Sequence, residues 1–338
     1  MPDRLPILVI QNTWYHFETT IAIYQLLEDA GYKPYVYRCA PGEDVFNQAI
    51  FLKEKNIAVA NNDVIKKAAA GIVISAYPNP HVDKKEAIPN AAHLCLPPEL
   101  RNKLLFISHR FRRLDDYVNN LFGITAKNTF CLSPNSERIG IDYLFLVASP
   151  VTPETVPYTR PLKLAVQGHL ELENRRIEWL SAALKKRTCA EFALQIIGTH
   201  AGTIAGPHFE NCNDVTFVHG PSEQEFYSRL SRDTHFLLPL IDGEMKRKTY
   251  VIERYSSNFM LAWALEKPVF CHEVFKDIYN TPGIYYNYGN VAEQFDELLA
   301  TSETTYGLLL KRMRDQKKIH QQSNTIKLRE KLTQIIQG

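Results

Sequence analysis

The chain has 338 residues, of which 45% are hydrophobic and 22% charged, with a formal net charge of +2. That length exceeds one ordinary core and predicts two domains of about 150 residues each. The near-neutral charge argues against a general nucleic-acid binder, leaving local basic clusters open, and no apolar run approaches the ~18 residues a membrane-spanning helix needs. Cys39, Cys95, Cys131, Cys189, Cys212 and Cys271 are scattered, with no C-x-x-C pair. They read as buried reduced thiols, with disulfides or zinc ligation the alternatives, and with no signal peptide ahead of the first strand the expected location is cytoplasmic.

In chain order, Pro6–Asn12 reads as a buried strand, 16–30 as a helix ending at Gly31, and Tyr35–Cys39 as a second strand. A helix is expected over 44–55, a short strand over Ile57–Ala60, a helix over 62–70 and a strand over Gly71–Tyr77. Leu104–Ser108, Thr129–Leu132 and Tyr143–Ala148 are further strand candidates. Residues 149–157 carry three prolines and no periodicity, which marks a linker. This divides the chain into 1–155 and 156–338.

The second half is punctuated by glycines. Leu162–Gln167 stops at Gly168, Phe192–Ile197 at Gly198, and Val215–His219 at Gly220, followed by Pro221 and Ser222. Thr234–Pro239 and Lys267–Phe270 complete the set of short runs, and 303–336 reads as a charged helix. In that tail Lys311, Arg312, Arg314, Lys317 and Lys318 read as a solvated face, with a membrane-surface or polyanion patch as the alternative. Leu308, Leu309, Leu310, Ile319, Ile326 and Leu328 are expected to pack it on the body of the protein. Short strands alternating with helices imply a parallel sheet in each half. Glycines at strand C-termini bring backbone amides and helix starts to one edge, where a phosphorylated ligand binds.

Absences narrow the chemistry. The sequence has no G-x-G, no G-x-x-x-x-G-K-[ST], no D-x-D, no H-E-x-x-H and no G-x-S-x-G. A phosphate site without a P-loop or a bound metal remains. Ser256 and Ser257 stand at the N-cap position before an apolar helix, with Arg254 upstream and Lys246, Arg247 and Lys248 in the preceding loop. Hydroxyls, free first-turn amides and the positive end of a helix dipole suit a diphosphate.

Over about 160–275 the order of elements resembles the C-terminal donor domain of GT-B glycosyltransferases. The pieces that carry it are Gly168-His169-Leu170 with Asn174-Arg175-Arg176, then Leu237-Leu238-Pro239-Leu240, then Arg254-Tyr255-Ser256-Ser257 running to Ala262-Trp263-Ala264-Leu265-Glu266-Lys267-Pro268-Val269. The resemblance implies an α/β fold with two Rossmann-like domains facing across a cleft and C-terminal helices packing back. The N-terminal domain would bind the acceptor and the C-terminal domain a nucleoside-diphosphate sugar, without a metal cofactor. It implies that Gly168 and His169 lie beside the donor phosphates and that Arg175 or Arg176 neutralises the leaving diphosphate. Gly198, Thr199, Gly220, Pro221 and Ser222 would pack on base and ribose, and Arg254, Tyr255, Ser256 and Ser257 would complete the donor site. Many retaining members carry two glutamates eight positions apart; Glu253 matches the first, but Leu261 stands at the second.

An inverting transfer needs a general base near the acceptor hydroxyl. His16, after the first strand, and His109, after Leu104–Ser108, resemble histidines that line the acceptor side of such enzymes, with His81 a third. In a retaining enzyme they would bind the acceptor instead. The expected partners are a nucleotide sugar and a carbohydrate or lipid-linked acceptor, with peripheral membrane contact open and no nucleic acid. Two other readings stand beside this one: an epimerase or polyol-phosphate transferase of the same shape, and a non-catalytic two-domain ligand-binding protein.

Overall fold

The computed structural model describes residues 4–11, 17–39, 47–74, 96–108, 125–168, 175–185, 191–198, 201–210, 212, 214–241 and 256–338. The chain forms two compact units. One takes in residues up to Pro150 together with Ile319–Gly338. The other runs from Val151 to Lys318, apart from 252–255.

The first unit is built on five strands: β1 (Pro6–Gln11), β2 (Lys33–Arg38), β3 (Ala70–Ile74), β4 (Leu104–Ser108) and β5 (Thr129–Cys131). They are parallel, in the order β2-β1-β3-β4-β5. Every residue of β3 and β4 is buried, and five of the six in β1. Parallel sheets are covered on both faces, so their strands are continuously apolar rather than alternating. The helix Phe17–Asp29 returns the chain from β1 to β2, and Gly31 ends the turn at φ +87°.

The second unit holds β6 (Leu162–Gln167), β7 (Phe192–Gly198), β8 (Val215–His219), β9 (Phe236–Leu237), β10 (Val269–His272) and β11 (Gly283–Tyr286). These too are parallel, in the order β11-β10-β9-β6-β7-β8. The reading of the sequence did not include β11. The strand order reverses between β6 and β9, and that reversal is where open α/β sheets bind ligands.

Several expected elements are shorter or different. Ile57–Ala60 makes only a single bridge, Val36 to Val59. Thr234–Pro239 narrows to Phe236–Leu237, because Pro239 has no N–H to donate and Leu240 turns at φ +53°. Tyr143–Ala148 is not a ladder strand beyond one bridge at Cys131–Tyr143. Instead, the Asn324 amide of the last helix takes both backbone groups of Phe145: Oδ1 accepts from its N–H at 3.1 Å and Nδ2 donates to its carbonyl at 2.6 Å.

That last helix, Glu303–Gln337, buries Tyr306, Leu309, Leu310, Met313, Leu328 and Leu332. Leu308, Ile319 and Ile326, expected to pack inward, are 59%, 64% and 56% exposed. They are separated by 11 and 7 residues, near-whole numbers of turns, and so share the outer face. The basic run is partly engaged: Arg314 and Lys317 pair with Glu266 at 2.8 and 3.4 Å. Residues up to Lys318 belong with the second unit and Ile319 onward with the first, so the tail is divided between the expected 1–155 and 156–338 segments.

The Pro-rich stretch is fastened to the second unit. Ser231 Oγ donates to Thr152 O at 3.3 Å and accepts from Glu154 N at 3.0 Å. The buried Lys267 ammonium donates to Glu154 O at 2.9 Å and Ser231 O at 2.7 Å. Burial lowers its pKa to about 8. His235, fully buried, accepts from Lys163 N at Nδ1 (2.9 Å) and donates from Nε2 to Pro157 O (2.9 Å), which fixes one neutral tautomer. Cys39, Cys131, Cys212 and Cys271 are free thiols, the second and fourth buried. Among the described residues no helix is long and apolar enough to cross a membrane.

Candidate functional site

Three strands of the second sheet end on glycines with positive φ: Gly168 (+102°), Gly198 (+151°) and Gly220 (+55°). They sit side by side, since Gly168 N donates to Ile197 O at 2.9 Å and Gly220 N to Gly198 O at 3.4 Å. A Cβ at Gly198 would lie 2.0 Å from Gly168 O, so the close approach admits only glycine. The result is a stretch of bare backbone at the carboxyl ends of β6, β7 and β8.

Arg175 lies beside it. The segment after β6 runs against the segment after β9: Arg175 bridges Ile241 and Arg176 N donates to Leu240 O at 3.0 Å. The Arg175 side chain is 8% exposed, and its guanidinium donates to Pro239 O. It reaches Gly168 closely enough that Nη2 would stand 3.5 Å from a Cβ there. Arg176, by contrast, is half-buried, pairing with Glu178 at 3.3 Å and lying over the Tyr288 ring at 5.4 Å. Of the two arginines, Arg175 is the one held at the strand ends.

The helix Ser257–Leu265 begins at the same edge. Its residues from Asn258 to Leu265 are all buried, so the helix is hydrophobic all round and its N-terminus is held by packing. Ser256 is the N-cap and is 3% exposed; Ser257 is partly exposed. Below them lies a buried polar group made of Gln167, Asn258 and Ser256. An amide's oxygen and nitrogen are assigned from their neighbours, and beside a guanidinium the oxygen faces the charge. So turned, Asn258 Oδ1 accepts from Arg175 Nη2 at 2.9 Å, Arg175 Nη1 at 3.3 Å and Ser256 Oγ at 3.1 Å. Its nitrogen then meets the Gln167 amide at 2.7 Å, and that amide must turn as well so that its oxygen rather than Nε2 accepts.

The loop after β8 differs in charge. Ser222 caps the helix Glu223–Arg232, its hydroxyl accepting from Glu225 N at 3.2 Å, with Glu223 and Glu225 in the first turn. Two carboxylates already answer that helix dipole and repel a phosphate. Gly220, Pro221 and Ser222 therefore suit a neutral part of a ligand, whereas Gly168, Arg175 and the start of Ser257–Leu265 suit an anion. Leu261, at the place of the second glutamate, is 3% exposed inside the apolar helix and offers nothing to a ribose.

Of the residues singled out in the sequence, the structure thus brings together Gly168, Arg175, Gly198, Ser256 and Ser257, and turns Arg176 toward Glu178 and the Tyr288 ring. His16, His81, His109, His169, Thr199, Glu253, Arg254, Tyr255 and the basic run 246–248 lie outside the described residues. Gln167 and Asn258 were not anticipated. Their signal was a polar residue inside an otherwise apolar run. Among the described residues no group of three or more His, Cys, Asp and Glu side chains is placed to hold a metal ion.

No protein-family model matches the sequence, and no curated protein matches it. Solved structures do. An alpha-glucosyltransferase in complex with UDP and a mismatched DNA superposes at TM-score 0.62 over 99% of this chain and 100% of that one, at 10% identity. Anabaena HepE in complex with UDP-glucose matches at 0.59 over 99% and 100%, also at 10% identity. A glycosyltransferase from Rickettsia africae matches at 0.56 over 98% and 99%, at 14% identity. The fold is GT-B. At these identities it is architecture alone that is shared, two Rossmann-like domains each with a parallel sheet.

Proposed function

We propose that this GT-B chain is a glycosyltransferase that moves a sugar from a nucleoside-diphosphate sugar to a hydroxyl acceptor. The observation that carries the reading is the meeting of Gly168, buried Arg175 and the N-terminus of Ser257–Leu265 at the reversal point of the second sheet. A fixed cation, the positive end of a helix dipole and a strand edge without side chains supply what a diphosphate needs. UDP in one structural neighbour and UDP-glucose in another support a nucleotide sugar as the ligand. The Gly220-Pro221-Ser222 loop then takes the neutral nucleoside portion.

In transfer, the sugar–phosphate bond breaks and negative charge builds on the departing diphosphate. Arg175 and the positive end of the Ser257–Leu265 dipole stabilise that charge, the task that a divalent metal performs in other transferases. The acceptor hydroxyl loses its proton to a base, a role we assign to His16 or His109 of the first domain. We place the reaction in the cytoplasm, on a carbohydrate or lipid-linked acceptor.

The test is a thermal-shift and calorimetric panel of UDP, GDP, CDP, ADP and TDP against the wild type and Arg175→Ala. One diphosphate should bind the wild type, with affinity falling by about 1.5–3 kcal/mol in the variant, the range of charge-assisted hydrogen bonds. Activity with the matching sugar nucleotide should persist in EDTA and require an acceptor. Binding of none of the five, or full affinity in Arg175→Ala, refutes the site. Epimerised or hydrolysed donor without acceptor refutes transfer.

A further inference from the structure

We infer that the first unit carries a saccharide subsite for the acceptor: a groove beside β2, under the helix Asn62–Lys67, whose lining selects a sugar bearing an acidic group. The inference rests on the glycosyltransferase reading above and names the class of acceptor such an enzyme would use.

A parallel sheet is normally covered on both faces. On β2 the cover is uneven: Pro34 and Val36 are buried, whereas Tyr35 and Tyr37, on the opposite face, are half-buried. The two tyrosines pack against the cluster that holds Leu8, Ile10 and Leu96. The helix over this face, Asn62–Lys67, buries none of its six residues. Its Val64 and Ile65 touch the same cluster yet stay half-buried. What remains is an open groove of about 380 Å³ lined by Tyr37, Asn62, Ile65, Lys66, Leu96 and Pro97. That volume is in the range of small-ligand sites.

The lining has the chemistry of a sugar site. Ile65, Leu96 and Pro97 give an apolar floor and Tyr37 a ring, which suit the C–H face of a pyranose. The Asn62 amide offers both a donor and an acceptor to hydroxyls. Lys66 is the only charge in the lining. Helical geometry turns Asp63 and Lys67 about 100° away from Asn62 and Lys66. Among the described residues no carboxylate pairs with Lys66. An unanswered ammonium at the rim of an otherwise neutral groove favours a ligand with a carboxylate or phosphate over a neutral sugar.

The experiment titrates wild type, Lys66→Gln and Lys67→Gln with glucose, glucuronate, glucose 6-phosphate and inorganic phosphate, read by protein NMR, which follows millimolar affinities. Both lysines are exposed, so the variants should fold as the wild type does. At least one acidic sugar should bind the wild type about fivefold more tightly than glucose, the upper scale of a solvent-exposed ion pair. Which of the two binds tells carboxylate from phosphate. Lys66→Gln should bring that sugar to the affinity of glucose, and Lys67→Gln should leave it unchanged. No sugar bound, acidic sugars bound no better than glucose, equal losses in the two variants, or inorganic phosphate bound as tightly as the sugar phosphate overturns the subsite. The diphosphate panel keeps the two readings apart. UDP or another diphosphate bound without any sugar removes the groove and leaves the donor site, whereas an acidic sugar bound with no diphosphate leaves the groove and removes transfer.

Discussion

The sharpest structural prediction concerns Gly198. An alanine Cβ there would stand 2.0 Å from Gly168 O and 2.9 Å from Gly168 C, both backbone atoms. A relaxed carbon–oxygen contact is more than 1 Å longer, so one of the two strand ends must move, and neither is a flexible side-chain tip. Overpacking of that kind costs about 1–3 kcal/mol. Holding a non-glycine residue at φ +151° adds about 1–3 kcal/mol of backbone strain. The sum is about 2–6 kcal/mol, which at about 2–4 °C per kcal/mol lowers the transition of the second domain by roughly 4–24 °C. The displaced atom belongs to Gly168, so nucleotide affinity should fall with stability. Gly202→Ala is the control, since a Cβ there meets nothing within 4 Å. Differential scanning calorimetry with and without UDP reads both effects. A Gly198→Ala protein that melts and binds like the wild type would refute the packing of the two strand ends.

Three further outcomes follow from the packing. Asn324→Ala strips both backbone partners from Phe145 and should destabilise the first domain by about 2–4 kcal/mol in urea titration. Leu328→Ala should cost about 2–5 kcal/mol and Ile326→Ala less than about 0.5, because the first is fully buried and the second 56% exposed; equal costs would refute the face assignment. Burial, with Lys163, Lys267 and Arg160 nearby, lowers the pKa of His235 below its ordinary 6.5 despite the bond to Pro157. The unfolded chain then takes up a proton first as pH falls. The contribution is whole above pH 6.5 and is lost as pH drops from there through the lowered folded pKa. His235→Gln should flatten that part of the stability–pH curve in chemical denaturation at pH 7.5 and pH 5.5.

What the sequence determined by itself was the alternation of strand and helix, the parallel sheets and the glycines that end β6, β7 and β8. These are local properties. A buried parallel strand must be continuously apolar, and a chain that turns sharply at its end needs glycine, so both leave marks in consecutive residues. The helix Ser257–Leu265 and its serine cap were legible for the same reason. Only the tertiary structure separated Arg175 from Arg176. The two are adjacent and chemically identical, and the pairing of Arg175 with Ile241 and Pro239, more than 60 positions away, turns one inward. The same long-range contacts made Asn258 part of the site, replaced the expected Tyr143–Ala148 strand with a bond to Asn324, and turned Leu308, Ile319 and Ile326 outward. Each of those outcomes depends on which face meets a neighbour distant in sequence, and such information is carried by packing rather than by any local run of residues.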